Sequence, residues 1–225
     1  SLHDALPIYE KEFQFWHDQG YEVIHFCISS DISSCYRNAC IAAEKVTGVT
    51  VIDSRNLSAG QGLLVLHAAE SAKNGVSAEE IVHDCQKLIP KVNTSFILDN
   101  TEYLRKGGRC SGLSSWGADI LHIRLCIQVT DGRMKPGKKY RGKLNKVVKS
   151  YTEDRLNDCA NIDPKRIFVA HTQCDQELVE EMKELVKLCC PEVKEILETT
   201  AGATITTHCG PGTLAIMYLQ KDSGK

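Results

Sequence analysis

The stretch YEVIHFCISSDISSCYRNACIAAEKVTGVTVID, residues 21–53, decides the fold. It opens with a short β-rich run, YEVIHFCIS (21–29), which reads as a buried strand. A helix is expected from about 33 to 47, because Tyr36, Ala39, Cys40, Ala43 and Val46 recur at helical spacing and Gly48 stops the pattern. VTVID (49–53) reads as the next strand. Strand, helix, strand in that order is the unit of a parallel sheet with helices on its faces.

Toward the start, residues 7–19 read as a helix, with Tyr9, Phe13 and Trp16 three to four apart and Gly20 closing it. Beyond the second strand, a long helix over 57–73 stops at Asn74-Gly75. Ser77 and Glu80 form a capping box for a helix through Leu88 that buries Ile81, Val82 and Cys85, and Pro90 lies past its end. The pattern then changes. A strand at 95–98 leads into a Gly- and Ser-rich loop, YLRKGGRCSGLSSWG (103–117). HIRLCIQVT (122–130) and RMKPGKKYRG (133–142) flank Asp131-Gly132, a strong hairpin signal. Helix 143–158, strand 166–171, helix 176–189, strand 193–198 and a last pair of strands around ATITTHCGPGTLAIMYL (203–219) complete the chain. The expected class is α/β: a parallel-sheet domain over 1–94 flanked by helices, then an α+β domain with a mixed sheet over 95–225.

The 27 basic and 29 acidic residues of this 225-residue chain leave a formal charge of -2, which gives no electrostatic ground for nucleic-acid binding. Basic residues do gather in RMKPGKKYRGKLNKVVK (133–149). That run is either a solvated strand turn and helix face or a docking patch. The 11 cysteines are odd in number and form no CxxC pair, and Cys27, Cys40 and Cys126 sit inside apolar runs. They read as small buried hydrophobes of a reducing compartment, hence a cytoplasmic protein, rather than as a disulfide scaffold. No apolar run approaches the length of a membrane span, so no integral membrane segment is expected. The opening SLHDALPIYEKEF lacks the layout of a signal peptide and has no Met, so a fragment is expected.

Three loops invite chemistry. ISSDISS (28–34) joins a strand to a helix start, where hydroxyls and free N–H groups converge. Ser30 there can hydrogen-bond a carboxylate. The plainer reading is that Asp31, Ser33 and Ser34 cap the helix. In TTHCGPG (206–212), His208 is expected to end a β-rich run, and Gly210 and Gly212 allow tight backbone beside a ligand. A histidine so placed can donate a hydrogen bond to an anion, or simply be tied to backbone. In RKGGRCS (105–111), two glycines precede Arg109, which suits a phosphate or carboxylate, or an ordinary surface turn. It is not a P-loop, since the Lys-Ser/Thr ending is absent. Ser30, Asp53 and His208 occur in the order used by α/β-hydrolases, but no GxSxG elbow surrounds any serine.

Together, YEVIHFCISSDISSCYRNACIAAEKV, VIDSRNLSAGQGLLVLHAA, EYLRKGGRCS, DGRMKPGKKYRG and ITTHCGPGTLAI resemble the DegV family in order and spacing, over essentially the whole chain from Pro7 onward. The resemblance implies two domains with a long-chain fatty acid in a narrow apolar tunnel between them and its carboxylate held at the mouth. It makes Ser30 and His208 the carboxylate-binding residues. Arg109 matches the arginine of the family's KGGR, and Arg141 the strand-end arginine associated with a partner kinase; with Gly210 and Gly212 these are expected site or partner contacts. The partner implied is an ATP-dependent fatty acid kinase subunit that phosphorylates the bound acid. No catalytic residue, cofactor or metal is expected in this chain. A stand-alone lipid carrier or sensor is the alternative, and a serine hydrolase a third. Two departures stand out. The family's first strand and the threonine of its TSQPS motif have no counterpart, so the first sheet is expected to lack an edge. Ser34 also stands where the family's LSGTY has glycine.

Overall fold

The computed structural model of the protein describes residues 2–110 and 123–221, with side chains from residue 6 onward. Residues 111–117 of the Gly- and Ser-rich loop lie outside the described residues. The chain divides into two compact units, Ser1–Pro90 and Lys91–Lys225.

The first unit holds helix α1 (Leu2–Asp18), strand β1 (Val23–Cys27), α2 (Cys35–Ala43), β2 (Val49–Asp53), α3 (Ser58–Lys73) and α4 (Ala78–Leu88). β1 and β2 pair in parallel, from Val23 opposite Val49 to Cys27 opposite Asp53. Side chains alternate across this small sheet. Val23, Cys27, Val49 and Val51 pack with Phe13, Ala39, Ala42 and Val46 of the α1–α2 side. Ile24, Phe26 and Ile52 pack with Ala68, Ile81 and Cys85 of the α3–α4 side. Both faces are covered, which is why the strands read as continuous apolar runs. The capping box of α4 forms as the spacing predicts: Ser77 accepts from the Glu80 N–H, and Glu80 accepts from the Ser77 N–H.

The second unit is built on a six-stranded mixed sheet in the order β5-β4-β3-β8-β6-β7. Its strands are β3 (Val92–Ile97), β4 (Ile123–Thr130), β5 (Arg133–Arg141), β6 (Ile162–His171), β7 (Glu195–Thr200) and β8 (Leu214–Gln220). β6 and β7 are parallel and the other pairs antiparallel. The Asp131-Gly132 hairpin is present, with both turn residues at positive φ (53° and 76°), as a two-residue loop between right-twisted strands requires. Helices α6 (Leu144–Arg155) and α7 (Gln176–Cys189) cover one face. Beneath them Tyr151, Val148, Met182, Val179 and Val186 are fully buried against Ile97, Ile167, Val169, Leu214 and Ile216.

Two expectations are corrected. The segment read as the first of a last pair of strands is helix α8 (Ala203–Cys209), so His208 sits on a helix. Within it Thr206 and Thr207 return their hydroxyls to the carbonyls of Gly202 and Ala203. The Gly-rich loop begins as helix α5 (Glu102–Gly107), ended by Gly108 in the left-handed conformation. The cysteine reading holds for Cys27, Cys85, Cys110, Cys126 and Cys209, which are buried, while Cys40 is only partly buried. Cys159 and Cys190 stand against each other across 31 residues, with Cα atoms 5.6 Å apart. Among the described residues no helix is long and apolar enough to cross a membrane.

Candidate functional site

In the first unit, Ser30 lies at the carboxyl end of β1, next to the carboxyl end of β2 because the two strands are parallel and in register. Asp53, the last residue of β2, ties the two loops together. Its Oδ1 accepts the Ser30 N–H (3.2 Å) and the Arg55 N–H (2.9 Å). The Ser29 N–H donates to the Asn56 carbonyl and the Ser54 N–H to the Cys27 carbonyl. Arg55 and Ser58 both hold φ of 51°, a left-handed backbone unusual outside glycine, so this loop stores strain beside Ser30.

That turn aims Arg55 across the site. Its guanidinium donates to the Ser30 hydroxyl oxygen (3.3 Å) and pairs with Asp31 at 2.7 Å and Asp53 at 3.7 Å. Asp31 thus serves an ion pair. Ser34 occupies the N-cap position of α2 without a side-chain cap bond, and Ser33 instead accepts the Cys35 N–H. Of the three proposed caps, Ser33 is the one seen bonding to the helix end among the described contacts. Arg55 is the residue that the sequence reading missed. The signal for it was the SRN that follows VID, since the loop after one parallel strand lies beside the loop after its neighbour.

In the second unit, the two glycine motifs that were read separately pack on each other through α5 and α8. A cavity of about 960 Å³ opens beside them, lined by Tyr103, Lys106, Gly107 and Arg109 from α5 and its exit, and by Thr206, Thr207, His208 and Pro211 from α8 and its exit. Gln173, Thr200, Ala201 and Ala203 complete the wall. Among the described residues no carboxylate lines it, while Lys106, Arg109 and His208 bring donors. Lys106 is tied to Glu102 at 2.6 Å, and Arg109 donates to the Gly107 carbonyl at 2.8 Å.

Gly210 and Gly212 do not line this cavity. They permit close packing behind it. Gly210, at φ 80°, leaves no room for a Cβ, which would fall 2.5 Å from the Tyr103 ring; a Cβ on Gly212, at φ 73°, would fall 2.8 Å from that of Asp99. Thr172 and Thr213 clasp the turn between them. Their hydroxyls donate to the Gly210 carbonyl at 2.8 and 3.1 Å, and Thr172 accepts the Thr213 N–H at 3.0 Å. Arg141 also stands apart from the cavity, exposed at the end of edge strand β5 opposite Ile123. Arg141, Lys143 and Lys146 take no part in the ion pairs that engage Lys135, Lys138 and Lys149.

The cavity offers hydrogen-bond donors and apolar wall, without an activated nucleophile among these cysteines. Burial pushes the thiol of Cys209, next to His208, up to about 12, and that of Cys110 up to about 11, so both stay protonated at neutral pH. No group of three or more His, Cys, Asp or Glu among the described residues is arranged to hold a metal ion.

A family model described as "Uncharacterised protein, DegV family" matches residues 8–221. A DegV domain-containing protein of Clostridium perfringens is 30% identical over 214 residues, covering 92% of this chain and 72% of the relative. Among solved structures, a DegV lipid binding protein from Thermotoga maritima superposes with a TM-score of 0.80 at 26% identity, over 96% of this chain and 75% of that one. A protein of the same family from Ruminococcus gnavus, solved with vaccenic acid, superposes with a TM-score of 0.81 at 25% identity, over 93% and 76% of the two chains.

Proposed function

The chain belongs to the DegV family, and from that premise we propose that it binds a long-chain fatty acid by its carboxylate and presents it to a partner rather than transforming it. The observation that carries the reading is the cavity in which His208 and Arg109 meet apolar wall, with no opposing carboxylate among the described residues. Its volume of about 960 Å³ suits a small-molecule ligand. Vaccenic acid in the Ruminococcus gnavus relative supplies the ligand class. The physics agrees: burying an alkyl chain stabilises by about 0.8 kcal/mol per methylene, so few polar contacts are needed at the head.

In this reading Ser30 and His208 hydrogen-bond the carboxylate, with Arg109 beside His208. Ser30 has Arg55 as its neighbour within the first unit, which suits an anion-binding serine better than a nucleophile awaiting a base. The cysteines that stay free suit a reducing, cytoplasmic setting. Mass spectrometry of lipid extracted from the purified protein should find a fatty acid. By calorimetry, Ser30→Ala and His208→Ala should each weaken its binding by about 1–3 kcal/mol. Failure of the wild-type protein to carry or bind any fatty acid would sink the reading. Ester cleavage by the wild type that Ser30→Ala abolishes would install a hydrolase in its place.

The partner in this reading is an ATP-dependent fatty acid kinase subunit that docks at the basic end of β5. Arg141 is exposed there beside Lys143 and Lys146. Arg141→Ala should leave fatty-acid affinity intact and lower acyl phosphate formation with the kinase. Rim charges act mainly on association rate, so the deficit should shrink as salt is raised. Parallel loss of fatty-acid affinity and turnover would put Arg141 in the fold instead. A protein that binds fatty acid but supports no acyl phosphate formation with any kinase subunit would be the stand-alone carrier.

A further inference from the structure

We propose that Gly107 is the positioning residue that holds His208 as a donor through Nε2–H, with Nδ1 left bare. The inference rests on the fatty-acid reading for its ligand, but its structural half stands on geometry alone.

His208 reaches the cavity from the last turn of α8, and Gly107 ends α5 opposite it. The edge of the imidazole that carries Nδ1 lies flat against Gly107. A Cβ added to Gly107 would run into Nδ1 and sit 3.4 Å from both Cε1 and Cγ. Gly107 is not at positive φ, so its backbone gives no reason for glycine. The reason is the ring. Nδ1 is buried and has no hydrogen-bond partner among the described residues. Most buried ring nitrogens find one, so an orphan asks for an account.

The account is the tautomer. Neutral imidazole carries one proton, on Nδ1 or on Nε2. On Nδ1 it would be an N–H sealed against Gly107 with no acceptor, which costs a hydrogen bond that water would otherwise supply. On Nε2 it stays on the edge of the ring that is left to meet the cavity. The glycine seat thus does two things. It admits the ring close against α5, and it denies Nδ1 an acceptor, so that the proton goes to the side that meets an anionic head group. No base is needed to orient this histidine, because the choice is made by exclusion.

Alanine at Gly107 tests this, since the helix end itself tolerates alanine and the new methyl must push the His208 ring off its seat. With oleic acid as probe, Gly107→Ala should lose affinity about 10-fold or more, as His208→Ala should, while circular dichroism shows that it stays folded. Histidine ¹⁵N shifts should report Nε2–H for His208 in the ligand-free wild type and a mixed or reversed tautomer in Gly107→Ala. His208→Gln, whose amide nitrogen falls near the place of Nε2, should recover part of the affinity lost in His208→Ala, and His208→Asn should not. An Nδ1–H tautomer in the wild type, or unchanged binding by Gly107→Ala, would overturn the proposal. Absence of oleic acid binding by the wild type would count against the fatty-acid reading, and the ¹⁵N shifts would still decide the seat.

Discussion

Tyr151→Ala is expected to cost the protein about 3–5 kcal/mol, the range for deleting a large buried aromatic. Among the described residues Tyr151 is the largest side chain that is wholly inaccessible to solvent. It stands on α6 over the middle of the mixed sheet, edge-on to Tyr140 with ring centroids 6.2 Å apart. Its hydroxyl meets the Ser95 hydroxyl at 2.9 Å and accepts the Ile216 N–H at 3.3 Å, so it fastens the helix to β3 and β8 at once. Burial holds the phenol protonated far beyond neutral pH, so this bond does not vary across the ordinary range. Tyr151→Phe keeps the ring and removes only the oxygen; leaving Ser95 short of a partner should cost about 1–3 kcal/mol. Urea unfolding of both variants checks the pair. Equal losses would assign the whole effect to the hydroxyl, and a loss under about 1 kcal/mol for alanine would mean that the core closes over the gap.

Gly210→Ala is the second large effect, expected at about 2–3 kcal/mol of stability. Two causes add. A left-handed backbone is unfavourable for alanine, and the new methyl meets the Tyr103 ring at 2.5 Å. Tyr103 is half-exposed and can swing away, but in doing so it leaves the cavity wall. The Gly210 carbonyl, held by Thr172 and Thr213, resists any relief by turning the peptide. Oleic acid affinity should therefore fall along with stability. Gly202→Ala makes the comparison: its φ is -70° and nothing approaches within 4 Å, so its cost should stay within about 0.5 kcal/mol. Similar melting temperatures for the two variants would show that neither φ nor the Tyr103 contact matters.

Most of the architecture was legible before the structure. The β1–α2–β2 unit announces itself because both faces of its sheet are covered, and apolar runs broken by a helical period have few other solutions. The Ser77–Glu80 box and the Asp131-Gly132 turn are local chemistry, fixed by residues within four positions of one another. The failure at α8 is of the opposite kind. Thr204, Ile205, Thr206 and Thr207 favour strand by propensity, and what makes them helical is distant: the clasp of Thr172 on the Gly210 carbonyl and the seat of His208 on Gly107. The same distance hid the cavity. Arg109 and His208 were each visible as motif residues, but their meeting depends on α5 and α8 packing at glycines about a hundred residues apart. Arg55 was hidden because its role comes from strand register, and a basic residue in a loop carries no periodic signal.

The outer rim of β5 bears on how this protein behaves when crowded. An edge strand is a template on which a second chain can add its own strand, and long flat edges seed aggregation. β5 is poorly suited to that. Pro136 has no N–H to offer, the pairing with β4 shifts register near Pro136 and Gly137, and Lys135, Lys138 and Lys139 space charge along the strand. Cys110 bridges to Met134 on the same strand. A second copy of β5 would thus meet a strand broken by a proline and a bulge and fringed with lysines, which disfavours strand-to-strand growth from this side.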